Sequence, residues 1–189
     1  MTQQEILDII LKNKKATTIL DNLGKLHCLT KHYLLIAEEL SEDGFTFLQP
    51  LKEHRDAYEH LTRIFGLSDR DDIENGFDIE KYIETNINKA FGHEYRAFFD
   101  TVDWLTYICR KYIRENLSSS SIRKRYKLQF ENYDYVKSFI NNLPFEIAEH
   151  REGKDIGEND NLLSKVSEYQ QTLDNLLEIY KNVDFLLNE

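Results

Sequence analysis

Residues that make turns are scarce in this chain. Its 189 residues include 7 glycines and 2 prolines, whereas a β-sandwich or barrel needs a turn about every 8–12 residues. An all-β fold is therefore not expected. Cysteine is equally sparse. Cys28 and Cys109 each lie in an apolar stretch and no C-x-x-C pair occurs, so a zinc knuckle and a dithiol redox motif are not expected. Both read as buried thiols rather than as a disulfide. No stretch approaches the ~20 apolar residues that cross a bilayer. The N-terminal run MTQQEILDIILKNKK is too polar, and its apolar part too short, for a signal peptide. The expectation is a cytoplasmic protein that makes no use of a membrane. Positive charge is also in deficit, with 24 Lys and Arg against 34 Asp and Glu and a net charge of −10. A protein that holds nucleic acid through a broad basic face is normally basic, so the balance argues against a non-specific DNA binder. It leaves room for an enzyme that touches one phosphate with one or two arginines, and for a basic protein partner.

What the chain does have is apolar residues at helical spacing along most of its length. Hydrophobic residues make up 41% and charged residues 31%, too much apolar content for a disordered chain. Helices are predicted over 3–14 and 16–41, possible segments of one bent rod, with Gly44 as a C-terminal stop. A second helix begins near Leu48, tolerates Pro50 in its first turn and ends at Gly66; Leu51, Ala57, Tyr58, Leu61, Ile64 and Phe65 form its expected inward stripe. Residues 67–77 read as an acidic loop. A long third helix spans about Asp78, a plausible N-cap, to Asn116. A serine break at 118–121 follows, with Ser120 or Ser121 capping a fourth helix over about 122–152, kinked at Pro144. Residues 152–160 form a loop, and a last helix covers about 161–187. Tyr126, Phe130, Tyr133 and Phe139 read as core rather than as a base-stacking platform. Four or five long helices with short connections predict an all-α bundle, and no domain boundary is evident across residues 1–189.

One segment carries a candidate chemistry. In LKEHRDAYEHLTRIFG, residues 51–66, Asp56 and His60 are four apart on the helix and Arg63 follows three later. Arg55 stands to one side. A guanidinium is permanently cationic and clamps phosphate with parallel hydrogen bonds. An imidazole exchanges a proton near neutral pH. RNA supplies its own nucleophile, the 2′-hydroxyl, so such a set suffices for cleavage without metal. The same residues also fit an ordinary solvated face, since Asp56–His60 and Glu59–Arg63 have the spacing of surface pairs worth a few tenths of a kcal/mol.

Arg55-Asp56-x-x-x-His60 resembles the Arg-x-x-x-x-His motif of the HEPN superfamily, in which Asn, Asp or His typically follows the arginine. The resemblance covers one helix, together with the all-α class. It implies a single HEPN-like domain and a metal-independent endoribonuclease or toxin component of a prokaryotic defence or toxin–antitoxin system. It also implies a homodimer that joins two motifs in one cleft, with RNA as substrate and no cofactor. Arg55 would hold the scissile phosphate, His60 would act as general acid or base, and Asp56 would orient one of them. Arg63 and Arg96 are the candidate substrate-binding residues. Here the motif lies in the first third of the chain. Thr62 stands where HEPN toxins silenced by modification carry tyrosine, so that mode of silencing is not expected. Some HEPN-like domains are inactive scaffolds, and the alternative is a non-catalytic helical interaction module, an antitoxin or defence-complex subunit.

Other polar clusters offer less. His93, Arg96, Asp100 and Asp103 fall together on the third helix, either as a structural network receiving Arg55 or Arg63 or as a second half of the site. A cation among His93, Asp100 and Asp103 matches no familiar ligand spacing, and His27 and His32, five apart, do not share a face. No metal ligand is assigned. His54-Arg55-Asp56 echoes the kinase triplet without its accompanying motifs, and residues 151–160 contain no phosphate loop. The basic run IRKRYK, residues 122–127, either guides RNA or an acidic partner or is a solvated helix start.

Overall fold

The computed structural model describes residues 1–41, 45–69, 77–152 and 162–188. Among them are seven α-helices, a short 3-10 turn and no strand. The helices are α1 (Gln3–Lys12), α2 (Lys14–Leu40), α3 (Leu48–Phe65), α4 (Ile79–Ser118), α5 (Ser120–Gln129), α6 (Tyr133–Glu152) and α7 (Leu162–Asn188), with the 3-10 turn at Gly66–Asp69. The all-α class expected from the periodicity holds, but the count of four or five helices does not.

Two breaks account for the higher count. Asn13 ends α1 in an extended conformation, and its side-chain oxygen then accepts from the backbone N–H of Lys15 and Ala16. One asparagine thus closes one helix and caps the next. The second break is at Phe130, also extended, which divides the expected fourth helix into α5 and α6. Pro144 lies inside α6 without interrupting it. Asp78 caps α4, accepting from Lys81 N–H at 2.9 Å, as expected. The serine break contracts to Ser119. Gly44, most of the 67–77 loop and the segment 153–160 lie outside the described residues.

The chain divides into two compact units, Met1–His32 with Phe47–Asp100, and Tyr33–Thr46 with Thr101–Glu189. In the first, α1 packs on α3 and on the 3-10 turn, around a core of Ile6, Ile10, Ala16, Ile64, Leu67, Ile83 and Ile87. In the second, α5 and α6 pack on α7. Tyr126 there is fully buried, and Tyr169 donates to Asp103 at 2.6 Å.

Two expectations about burial are corrected. Cys28 is exposed, because the buried residues of α2 (Leu26, Thr30, Tyr33 and Ala37) follow helical spacing on another face. The inward stripe of α3 is narrower than expected. Ala57 and Ile64 are buried, but Leu51, Tyr58 and Phe65 are exposed, since polar residues 53, 54 and 60 occupy much of the face turned toward the other helices of the unit.

Cys109 is fully buried, and burial pushes its thiol up to about 12. A thiol in that setting presents little thiolate and little access. Native protein treated with Ellman's reagent is therefore expected to release one equivalent of chromophore per chain, from Cys28. The second equivalent is expected only after denaturation.

Candidate functional site

Helix α3 places the residues of the predicted motif on its polar flank. Arg55 is the outermost, with a side chain 72% exposed. Its Nε and Nη2 both donate to Asp56 Oδ1, at 2.9 and 2.7 Å. This bond raises the guanidinium pKa and holds the Asp56 carboxyl below the usual carboxylate range, with positive charge at His93 and His60 adding to the effect. His60 lies about 140° further around the helix, as a five-residue step dictates. Its Nδ1 sits 2.9 Å from Asn86 Oδ1 on α4, and its ring stacks on His93 with centroids 5.4 Å apart and planes at 24°. Arg55 and His60 thus stand at the two edges of one flank with Asp56 between them.

The remaining predicted residues have partners of their own. Arg63 bonds to Glu59 on its own helix, the surface pair anticipated from their spacing, and Arg55 bonds to its neighbour. In the second unit Asp103 takes Arg151 and Tyr169. Arg96 Nε donates to Glu53 Oε2 at 2.9 Å. His93 Nδ1 is 2.8 Å from the same Glu53 oxygen and 2.7 Å from Arg96 Nη2. One ring nitrogen cannot donate to the carboxylate and accept from the guanidinium at once. The ring therefore makes one of these two contacts as a hydrogen bond at a time. Burial would raise the Glu53 carboxyl, but the bonds from His93 and Arg96 outweigh it and hold the group low.

A second set of polar residues lies beside this one. Glu94 on α4 is buried, its side chain 4% exposed. His54 Nδ1 on α3 approaches its Oε1 at 2.9 Å, and His27 Nδ1 on α2 lies 3.2 Å from both carboxylate oxygens. The two imidazoles meet edge-on, with centroids 4.9 Å apart. Sequence reading missed Glu94 and set aside His27 and His54, because the three come from separate helices and no local spacing links them. It also missed the stacking of His93 on His60. The one available signal was His93-Glu94 in an otherwise apolar run. The clefts of the second unit, one lined by Glu146, His150 and Lys165 and another by Trp104, Tyr107 and Tyr180, contain none of the predicted residues.

Compared with protein-family models, curated proteins and solved structures, the chain finds no match.

The two kinds of ion pair on α3 should differ in worth. Glu53 is largely buried and accepts from two partners, whereas the Glu59–Arg63 pair is about half exposed on both sides. Glu53→Ala is expected to destabilise the protein by about 1–3 kcal/mol, since it leaves His93 and Arg96 without their acceptor. Glu59→Ala should cost no more than about 1 kcal/mol. Urea midpoints at unchanged m-value measure both.

Proposed function

We propose that the first unit is a HEPN-like, metal-independent endoribonuclease that works as a homodimer, as a toxin component of a prokaryotic defence or toxin–antitoxin system. The observation that carries the reading is the stacked pair of imidazoles, His60 and His93, beside the Asp56–Arg55 pair on the polar flank of α3. Arg55 holds the scissile phosphate. One imidazole takes the proton from the 2′-hydroxyl as that oxygen attacks phosphorus, and the other gives a proton to the departing 5′-oxygen, leaving a cyclic phosphate and a 5′-hydroxyl. Asp56 positions Arg55, Arg96 positions His93, and Arg63 lies along the flank for a neighbouring phosphate.

The outer face of α3 supports the dimer. Leu51, Tyr58 and Phe65 recur at seven-residue intervals and are all exposed, with Arg55 on the same face. A second copy seated on this stripe brings two Arg55 side chains and two polar flanks together. A second reading, the non-catalytic interaction module, is favoured by one observation. Both guanidiniums of the motif helix, Arg55 and Arg63, are already neutralised by carboxylates of that helix.

Incubation of purified protein with single-stranded RNA in EDTA separates the two. The expected result is cleavage by wild type, reduced about 10²–10⁴-fold in His60→Ala and His93→Ala, in line with loss of an acid–base group, and strongly reduced in Arg55→Ala. The melting temperature of Arg55→Ala should stay at the wild-type value because the side chain is exposed. Absence of cleavage by wild type, or cleavage indifferent to these substitutions, overturns the enzyme reading in favour of the module. Tyr58→Asp is expected to yield a monomer by sedimentation that has also lost cleavage.

A further inference from the structure

The set built on Glu94 takes no part in that chemistry. His54 follows Glu53 on α3 and Glu94 follows His93 on α4, so each helix sends consecutive residues into two different clusters. His27, His54 and Glu94 each offer one ligand atom, and these atoms all lie within 4.8 Å of one another.

We propose that His27, His54 and Glu94 form a binding site for one divalent transition-metal cation of the zinc type, clamping α2, α3 and α4 together within the first unit. The donor set is two imidazole nitrogens and one carboxylate, which suits zinc and its neighbours rather than calcium or magnesium. Three protein ligands leave a fourth position for water.

The spacing is close to that of a metal site. Tetrahedral zinc with bonds of about 2.0–2.1 Å sets neighbouring ligand atoms roughly 3.3–3.4 Å apart. The separations of the two ring nitrogens from Glu94 Oε1, 2.9 and 3.2 Å, need to open by a few tenths of an ångström, and the two ring nitrogens, within 4.8 Å of each other, close by at most about 1.4 Å, a movement within reach of the half-exposed His27 side chain. Both rings already present Nδ1 to the carboxylate, and each keeps its proton on Nε2 when Nδ1 binds metal. Access is provided by His27, whose side chain is 47% exposed, while Glu94 is sealed at 4%.

The charge argument runs the same way. A buried carboxylate is stable only if donors or positive charge surround it. Neutral imidazoles answer it with N–H dipoles, whereas a dication answers it with charge. The three ligands also come from helices far apart in the chain, and a clip that closes long loops stabilises the folded state.

The test uses untagged full-length protein stripped with EDTA and then freed of chelator. It is carried out in a Cys28→Ser background, because Cys28 is exposed and adjoins His27. Titration with Co²⁺ is expected to give the absorption of a four-coordinate site saturating at one equivalent per chain, displaced by Zn²⁺. Zn²⁺ should raise the melting temperature. His27→Ala and His54→Ala should each weaken binding at least tenfold and abolish the thermal shift, while His32→Ala, on the same helix but outside the cluster, should leave both intact. His27→Ala removes a half-exposed side chain and keeps the fold, so its result stands even where Glu94→Gln fails to fold. No saturable Co²⁺ signal, or binding unchanged in His27→Ala, overturns the site. RNA cleavage in EDTA is a separate readout, so either proposal can fail without the other.

Discussion

A carboxylate sealed among helices is the constraint on which the first unit is organised. Glu94 is almost fully buried, and water cannot solvate it. An ionised group in that position is tolerated only with partners held at hydrogen-bonding distance. His54 and His27 are those partners, and they come from two other helices. One buried carboxyl and its two hydrogen-bond partners therefore tie α2 and α3 to α4 in register. The apolar core of Ile6, Ile64, Ile83 and their neighbours turns the apolar stripe of each helix inward. The polar cluster adds a directional constraint to that orientation.

That orientation has a consequence for the neighbouring residues. Successive side chains on a helix point about 100° apart. Once His54 and Glu94 are turned toward each other, Glu53 and His93 are turned to the next sector. There they meet, together with Arg96, and His60 stacks behind His93. The candidate acid–base pair thus lies in the sector next to the His27–His54–Glu94 set, on α3 and α4. Both rings are also tethered at Nδ1, His60 by Asn86 and His93 by Glu53 or Arg96, which leaves Nε2 of each as the nitrogen available for proton transfer.

Helical periodicity made most of the elements legible, because an amphipathic stripe is a property of residues three and four apart. The ends of α4 and the cap at Asp78 came from the same local signals. The division at Asn13 was legible to within two residues, but whether it separated two helices or bent one was not, since a single residue serves as terminator and cap there. At Phe130 an aromatic residue breaks the helix while Pro144, the stronger local signal, does not. For the site, spacing located Arg55, Asp56 and His60 on one helix, but it pointed to an Asp56–His60 pair at i,i+4, whereas Asp56 bonds the adjacent Arg55 and His60 bonds Asn86, partners that spacing rules do not select. The partners of Arg96 and His93, and the whole of the His27–His54–Glu94 set, are contacts between helices. Nothing in residues 27, 54 and 94 taken one at a time marks them as neighbours. Their polarity within helices that otherwise read as apolar stripes was the available sign, and it is also why the inward face of α3 proved narrower than expected.

The pairing of Arg55 with Asp56 bears on whether the motif can engage a phosphate at all. The pair is exposed, and exposed ion pairs are worth only about 0–1 kcal/mol. A guanidinium gripping a phosphate through two charge-assisted bonds is held more firmly, and Arg55 has donors on Nη1 that Asp56 does not use. Phosphate can therefore add to the pair or displace Asp56 at small cost. A displaced Asp56 would remain near the positive forms of His60 and His93, which already act on its carboxylate. The resting pair and the phosphate-bound arrangement then differ by a small side-chain movement, and the same aspartate serves both.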